Sequence, residues 1–164
     1  MATRLLLTPG SAEFPASNFP QLTISNTTER RLVLSYDAST QETCAWTVVV
    51  PQGITGTITA VISYAMASAT TGGVAFEVGV EALTSGDAVD TDAATSYDTT
   101  NTGTDAGVPG TAGYMEQLSI TLSNVDSWAA GDLARIYLRR APANATDTAT
   151  GDALVFGVEV RDGA

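Results

Sequence analysis

The sequence predicts an all-β protein: an antiparallel two-sheet sandwich, jelly-roll-like, with an extended N-terminal arm. Three observations lead there. First, apolar and polar side chains alternate. Ile136 and Leu138 interleave with Arg135, Tyr137 and Arg139, and Leu154, Phe156, Val158 and Val160 interleave with Val155, Gly157, Glu159 and Arg161. Period two sustained over such lengths marks strands with one face on a core and the other toward solvent. Second, such segments recur at short spacing between turn-forming residues, and helical periodicity is sustained nowhere. Third, 164 residues are enough for one domain that buries about 70% of its unfolded surface without staples. A closed barrel is the alternative wiring. Inward positions that mix aromatic, Val, Ile and Leu side chains favour two packed sheets.

Residues 1–28 read as the arm, with 29–164 as a single sandwich domain. Thr3–Thr8 and Gln21–Ser25 can each form a short strand. Between them Pro9, Pro15 and Pro20 exclude both helix and central strand. Phe14 and Phe19 are the arm's apolar anchors. They are expected to lie along another surface, either the chain's own sandwich or a neighbouring subunit, and the arm is predicted to reach beyond its own sandwich.

Strands are then expected at Arg30–Tyr36, Cys44–Val50, Gly56–Ala65, Val74–Leu83 and Tyr114–Asn124, followed by the two alternating segments described above. Asp37-Ala-Ser-Thr-Gln41, Pro51-Gln-Gly53 and Ser68–Gly73 punctuate them. Residues 84–113 are polar and acidic, with a further short strand expected at Ala94–Thr99. A segment this long without periodicity is usually functional or mobile. A single helical turn is expected at Val125–Ala130, capped by Asp126 or Ser127.

Composition narrows the chemistry. The net charge is −11, and all seven basic residues are Arg. So acidic a chain repels phosphate backbones, which excludes nucleic acid as the main partner. No apolar run is long enough to cross a membrane as a helix, since Thr8-Pro9-Gly10 ends Leu5-Leu6-Leu7. One cysteine, Cys44, precludes an intrachain disulfide and a cysteine-based metal site. It reads as a small buried apolar residue. The absence of histidine removes the common serine and cysteine triads.

No catalytic residue, cofactor site or metal site is assigned. Asp87, Asp90, Asp92, Asp98 and Asp105 fit no calcium-loop frame and read as a solvated acidic loop. Asn144, Asp147 and Asp152 read as turn residues. Glu77 and Glu81 read as ordinary outward strand residues. Asn26-Thr-Thr28 and Asn144-Ala-Thr146 match the glycosylation sequon by chance in a Thr-rich chain. Trp46, in phase with Val48 and Val50, belongs in the core, whereas Trp128 beside a turn is more open to an exposed role.

The candidate partner-binding residues are Phe14 and Phe19 on the arm and the arginines Arg135, Arg139, Arg140 and Arg161. In a Lys-free acidic molecule, concentrated arginine suits bidentate pairing with carboxylates, either on a partner or on neighbouring strands.

Trp46-Thr-Val-Val-Val-Pro51, the Gly-bounded strand ending at Tyr64, Gly73-Val-Ala-Phe-Glu-Val78, and Gly131–Arg140 with Asp147–Val160 carry a resemblance. Over residues 29–162 the chain resembles small β-sandwich virion structural proteins of tailed bacteriophages. The resemblance implies a non-enzymatic capsid decoration (cement) protein on the virion surface. Such a protein would be a homotrimer whose partner is the major capsid protein or another virion protein. The alternative is a fibre, receptor-binding or carbohydrate-binding β-sandwich module.

Overall fold

A computed structural model describes residues 1–25, 28–93 and 95–163. Among the described residues ten strands follow one another: β1 (Ala2–Leu7), β2 (Gln21–Ile24), β3 (Leu32–Tyr36), β4 (Thr43–Val49), β5 (Ile58–Met66), β6 (Val74–Leu83), β7 (Asn101–Asp105), β8 (Met115–Thr121), β9 (Leu133–Arg140) and β10 (Ala153–Asp162). The only helical piece among the described residues is one 3-10 turn at Pro9–Ser11. One sheet runs β2-β3-β10-β5-β8, and β1 pairs with the far half of β10. The other runs β4-β9-β6-β7, and every pairing is antiparallel. The fold is thus the two-sheet sandwich the alternation predicts.

The core lies between the sheets. From the six-stranded sheet it takes Leu34, Tyr36, Ile62, Tyr64, Ile120, Val155 and Val158; from the four-stranded sheet it takes Trp46, Phe76, Val78, Val80, Ile136 and Leu138. Phe76 receives the edges of Tyr36 and Tyr64 at centroid distances of 5.8 and 5.9 Å, the geometry favoured by the ring quadrupole. A bulge between Val155 and Gly157 shifts the phase of β10. Leu154 and Phe156 therefore leave the face that Val158 and Val160 occupy, and Val155 enters the core in their place.

The N-terminal segment folds back on its own sandwich, which corrects the expectation that it reaches beyond it. β1 pairs with Val158–Asp162, and Leu7 and Pro9 are buried. Residues 13–18 then run along the edge of β4. Glu13 and Ala45 exchange two backbone hydrogen bonds of 2.7 and 2.9 Å, and Thr43 donates to the Asn18 carbonyl. Thr47 N–H donates to the Glu13 carboxylate. The prolines do keep this stretch out of regular structure, but they lay it on an edge that would otherwise be open.

Three further expectations change. Val125–Ala130 forms a turn, not a helical one. Asp126 and Ser127 both have left-handed φ (53° and 54°), held by the bonds from Asp126 N–H to Asp98 and from Ala82 N–H to Asp126. The strand expected at Ala94–Thr99 is absent over 95–99, and Ala94 lies outside the described residues. The acidic stretch instead supplies β7. Its Gly103 is required because an added Cβ would sit 2.5 Å from Ile120, where β7 closes against β8. Asn26 and Thr27 of the first sequon also lie outside the described residues.

Candidate binding groove on the four-stranded sheet

The register of β4, β9 and β6 arranges the outward side chains in four cross-strand rows. These are Val49–Leu133–Leu83, Thr47–Arg135–Glu81, Ala45–Tyr137–Gly79 and Thr43–Arg139–Glu77. Directly opposed residues on antiparallel strands share a face, so the rows form the floor of this surface. The third row is flat because Tyr137 lies over Gly79, where a Cβ would fall 2.1 Å from the ring.

Two walls rise from the floor. One is the arm segment 13–18 on β4. The other is residues 84–93 and 95–97, tied to β6 by Ser96 N–H donating to Glu81 (2.6 Å) and Asp98 N–H donating to the Val80 carbonyl. Tyr97 meets Tyr137 edge-on at 4.8 Å, and the Tyr137 hydroxyl hydrogen-bonds Thr100. Asp87 and Asp90 accept from Thr84 N–H and Asp92 N–H, so these carboxylates hold the wall's own turns. Among the described residues no three potential metal ligands come together.

Between the walls lie three depressions that share lining residues. At one end Ser85, Asp87, Val89 and Leu133 surround about 260 Å³. The middle, about 180 Å³, is lined by Thr47, Glu81, Val89, Asp90, Thr95 and Arg135. The other end, about 480 Å³, is lined by Glu13, Asn18, Gln41, Thr43, Tyr97 and Arg135. Leu133 and Val89 join the first two, and Arg135 and Thr95 join the last two. Four rows two residues apart make the surface roughly 20 Å long. The result is a groove, apolar at one end and lined by planar polar side chains at the other.

Arg135 stands at its centre. One amino group pairs with Glu13 at 3.4 Å, while its Nε, shielded from solvent, has no hydrogen-bond partner among the described residues. A buried unmet donor costs about 1–3 kcal/mol. Burial pushes the Tyr97 phenol up, and Arg135 only partly opposes it, so the ring stays neutral. Glu13 and Glu81 are engaged by Thr47 N–H and Arg135, and by Ser96 N–H, respectively.

The four candidate arginines do not form one surface. Arg135 and Arg139 share the groove floor, where Arg139 pairs with Glu77 and lies 5.1 Å from the Tyr137 ring centroid. Arg161 is on the other sheet, paired with Glu159. Arg140, expected as a surface residue, points into the sandwich with a fully buried side chain and pairs with Asp147. This corrects its assignment to partner binding. Phe14 and Phe19 meet at a tilt with ring centroids 5.6 Å apart and remain partly exposed on the arm. Trp128 is half-buried against the core. Sequence reasoning missed Glu13, Asn18, Gln41 and Tyr97. Of these only Tyr97, a lone aromatic in an acidic stretch, carried a signal.

Fold and groove together define a jelly-roll β-sandwich with an open cleft across one sheet. No protein-family model matches the chain, and no curated protein matches it significantly. Among solved structures it is similar to the CBM22-2 xylan-binding domain of Paenibacillus barcinonensis Xyn10C (TM-score 0.53, 13% identity, 97% of this chain and 99% of that one). It is also similar to CBM35 from Cellvibrio japonicus Abf62 (TM-score 0.50, 14% identity, 98% and 94% covered). A third similar structure holds the CBM22-1–GH10 modules of Clostridium thermocellum xylanase 10B complexed with xylohexaose (TM-score 0.51, 11% identity). There the match covers 98% of this chain and 28% of that one. At such identities the likeness is one of fold.

Proposed function

We propose that the protein is a non-catalytic carbohydrate-binding module that takes a stretch of polysaccharide into the groove over β4, β9 and β6. The observation that carries this reading is the continuity of the groove, whose depressions meet at Arg135. Sugars present hydroxyls in pairs and apolar ring faces, and the groove offers the matching set. Arg135, Asn18, Gln41 and Glu13 are planar hydrogen-bonding groups, Thr43, Thr47 and Thr95 add hydroxyls, and Tyr97 adds an aromatic ring. The fold shared with a domain described as xylan-binding supports the same class of ligand. Open ends suit the interior of a chain rather than its terminus.

Affinity electrophoresis against a panel of soluble plant, bacterial and algal polysaccharides, followed by calorimetry on the best ligand, tests this. Arg135→Ala and Tyr97→Ala should each weaken binding at least about tenfold, the equivalent of 1.4 kcal/mol. Binding that ignores both substitutions, or no binding across the panel, refutes the reading.

A second reading, attachment to a virion shell, rests on the sequence resemblance, and the partly exposed Phe14–Phe19 pair is the surface it would use. Co-sedimentation with assembled capsids that is lost in the Phe14→Ser/Phe19→Ser variant would support it over the first.

A further inference from the structure

Among the described residues the sheet edges differ in how they are kept from pairing. β4 is covered by residues 13–18. β7 ends in Asp105 and β8 carries Glu116. β1 has a register shift between Thr3 and Leu5 and carries Arg4, paired with Asp162. A bulge and a charge are two ordinary ways of keeping an edge from pairing. β2 has none of these protections.

The direction of its backbone groups follows from the register. Ser25 N–H donates to the Arg31 carbonyl at 2.8 Å. With Ile24 opposite Leu32 and Leu22 opposite Leu34, the hydrogen-bonded pairs are therefore Ser25, Thr23 and Gln21 with β3. The N–H and C=O groups of Leu22 and Ile24 point off the free edge and have no partner among the described residues. The side chains of Leu22, Ile24 and Leu32 lie on the same face as buried Leu34, yet they are 45%, 41% and 46% exposed. Gln21-Leu22-Thr23-Ile24-Ser25 carries no charge in a chain of net charge −11.

We propose that β2 is a self-association edge, and that its occupant is β2 of a second copy, antiparallel about a two-fold axis at Thr23. The strand is self-complementary in that register. Leu22 exchanges both backbone bonds with Ile24 of the partner subunit, and Ile24 exchanges both with the partner's Leu22. Thr23 meets its own counterpart as the pair without hydrogen bonds between them. The exposed aliphatic side chains of the two copies then meet on one face across the seam. Two strongly acidic chains repel least where neither carries charge, which favours this uncharged edge over the rest of the surface. The contact is smaller than the roughly 800 Å² per partner of a stable complex, so the dimer is weak and concentration-dependent. A dimer presents two grooves, and paired sites on a repeating ligand raise avidity without new contacts. The association itself does not depend on what the groove binds.

Light scattering of the full chain from about 1 μM to about 1 mM should show the mass rising from one chain toward two. In Ile24→Pro the outward donor is removed while the bonds to β3 remain, so the mass should stay at one chain. Thr23→Cys should cross-link to a covalent dimer under mild oxidation. The expected Cα separation of about 4.5 Å lies within disulfide range, and the chain's own Cys44 is buried and silent. A wild-type protein that stays monomeric while Thr23→Cys fails to cross-link overturns the proposal. So does a dimer that persists in Ile24→Pro, or a trimer.

Discussion

Replacing Arg140 by alanine is the sharpest perturbation this structure offers. Arg140 and Asp147 have 0% and 1% side-chain exposure. The guanidinium donates from Nε and Nη2 to the carboxylate, from Nη1 to the Gly151 carbonyl at 2.7 Å and from Nη2 to the Ala149 carbonyl at 2.8 Å. Asp147 in turn accepts from Ala75 N–H on β6. One side chain thus ties the end of β9 to the connection before β10 and, through Asp147, to β6. Removing it strands a buried carboxylate and two buried carbonyls, and breaking such a pair costs about 3–5 kcal/mol. Against a total stability of about 5–15 kcal/mol, that is a large fraction. At about 2–4 °C per kcal/mol for a domain of this size, the melting temperature should fall by about 6–20 °C. Urea unfolding followed by tryptophan fluorescence and circular dichroism measures the change. Arg161→Ala serves as the control, because its partly exposed pair with Glu159 should contribute no more than about 1 kcal/mol. A loss below about 1 kcal/mol in Arg140→Ala would refute the argument that this pair holds the end of the sandwich. So would equal losses in the two variants.

Gly79→Ala should destabilise the fold by about 1–3 kcal/mol, because the new methyl overlaps the Tyr137 ring; a neutral effect in urea unfolding would show that the ring is free to move. The Cys44 thiol is pushed up to about 12 by burial, so a thiol reagent at pH 8 should label it only in denaturant, and rapid native labelling contradicts this. Asp37 is lowered to about 2 by the hydroxyl and N–H of Ser39 and the N–H of Thr40. Its folded value lies below its unfolded one, so the turn's stabilisation is complete above about pH 4 and lost as pH falls through about 2. A carboxyl titration by NMR with a midpoint near the ordinary 3.8 would refute it.

Alternation revealed the strands whose inward positions are apolar, and it failed where they are not. β7 reads Asn101-Thr-Gly-Thr-Asp105. Its inward Gly103 makes room for Ile120, and the Asn101 amide serves Val78, Ser123 and Asn124. A strand that contributes space and hydrogen bonds to the interior leaves no hydrophobic period. The bulge in β10 misled in the opposite way. Leu154, Phe156, Val158 and Val160 keep perfect alternation in sequence, yet the shift at Val155/Gly157 splits them between two faces. The groove was less legible still, because its walls come from the arm and the acidic stretch, neither of which has a period to read.

Arg135 and Arg140 show where sequence phase stops being sufficient. Both lie on β9, and Ile136 and Leu138 fix the inward positions as even-numbered. That phase alone sends Arg135 and Arg139 outward and Arg140 inward, so treating all three as one surface group discarded information the sequence held. What phase cannot supply is the counterion. A charge placed in a core must be paired, and the candidates for Arg140 included every carboxylate in a chain with 18 of them. Asp147 reads locally as a turn residue; it becomes the partner only because the connection after β9 doubles back beneath β6, where Gly73 meets Thr148 and Ala149. An inward-phased arginine is therefore evidence for a buried acid somewhere in the fold, and the chain path decides which one. The same reasoning applies outward. Arg135 takes Glu13 of the arm as its counterion, while Glu81 in its own row accepts from Ser96 N–H of the wall, and its Nε has no partner among the described residues. The walls that shape the groove thus also set the surroundings of its central cation, with Glu13 of the arm as the counterion.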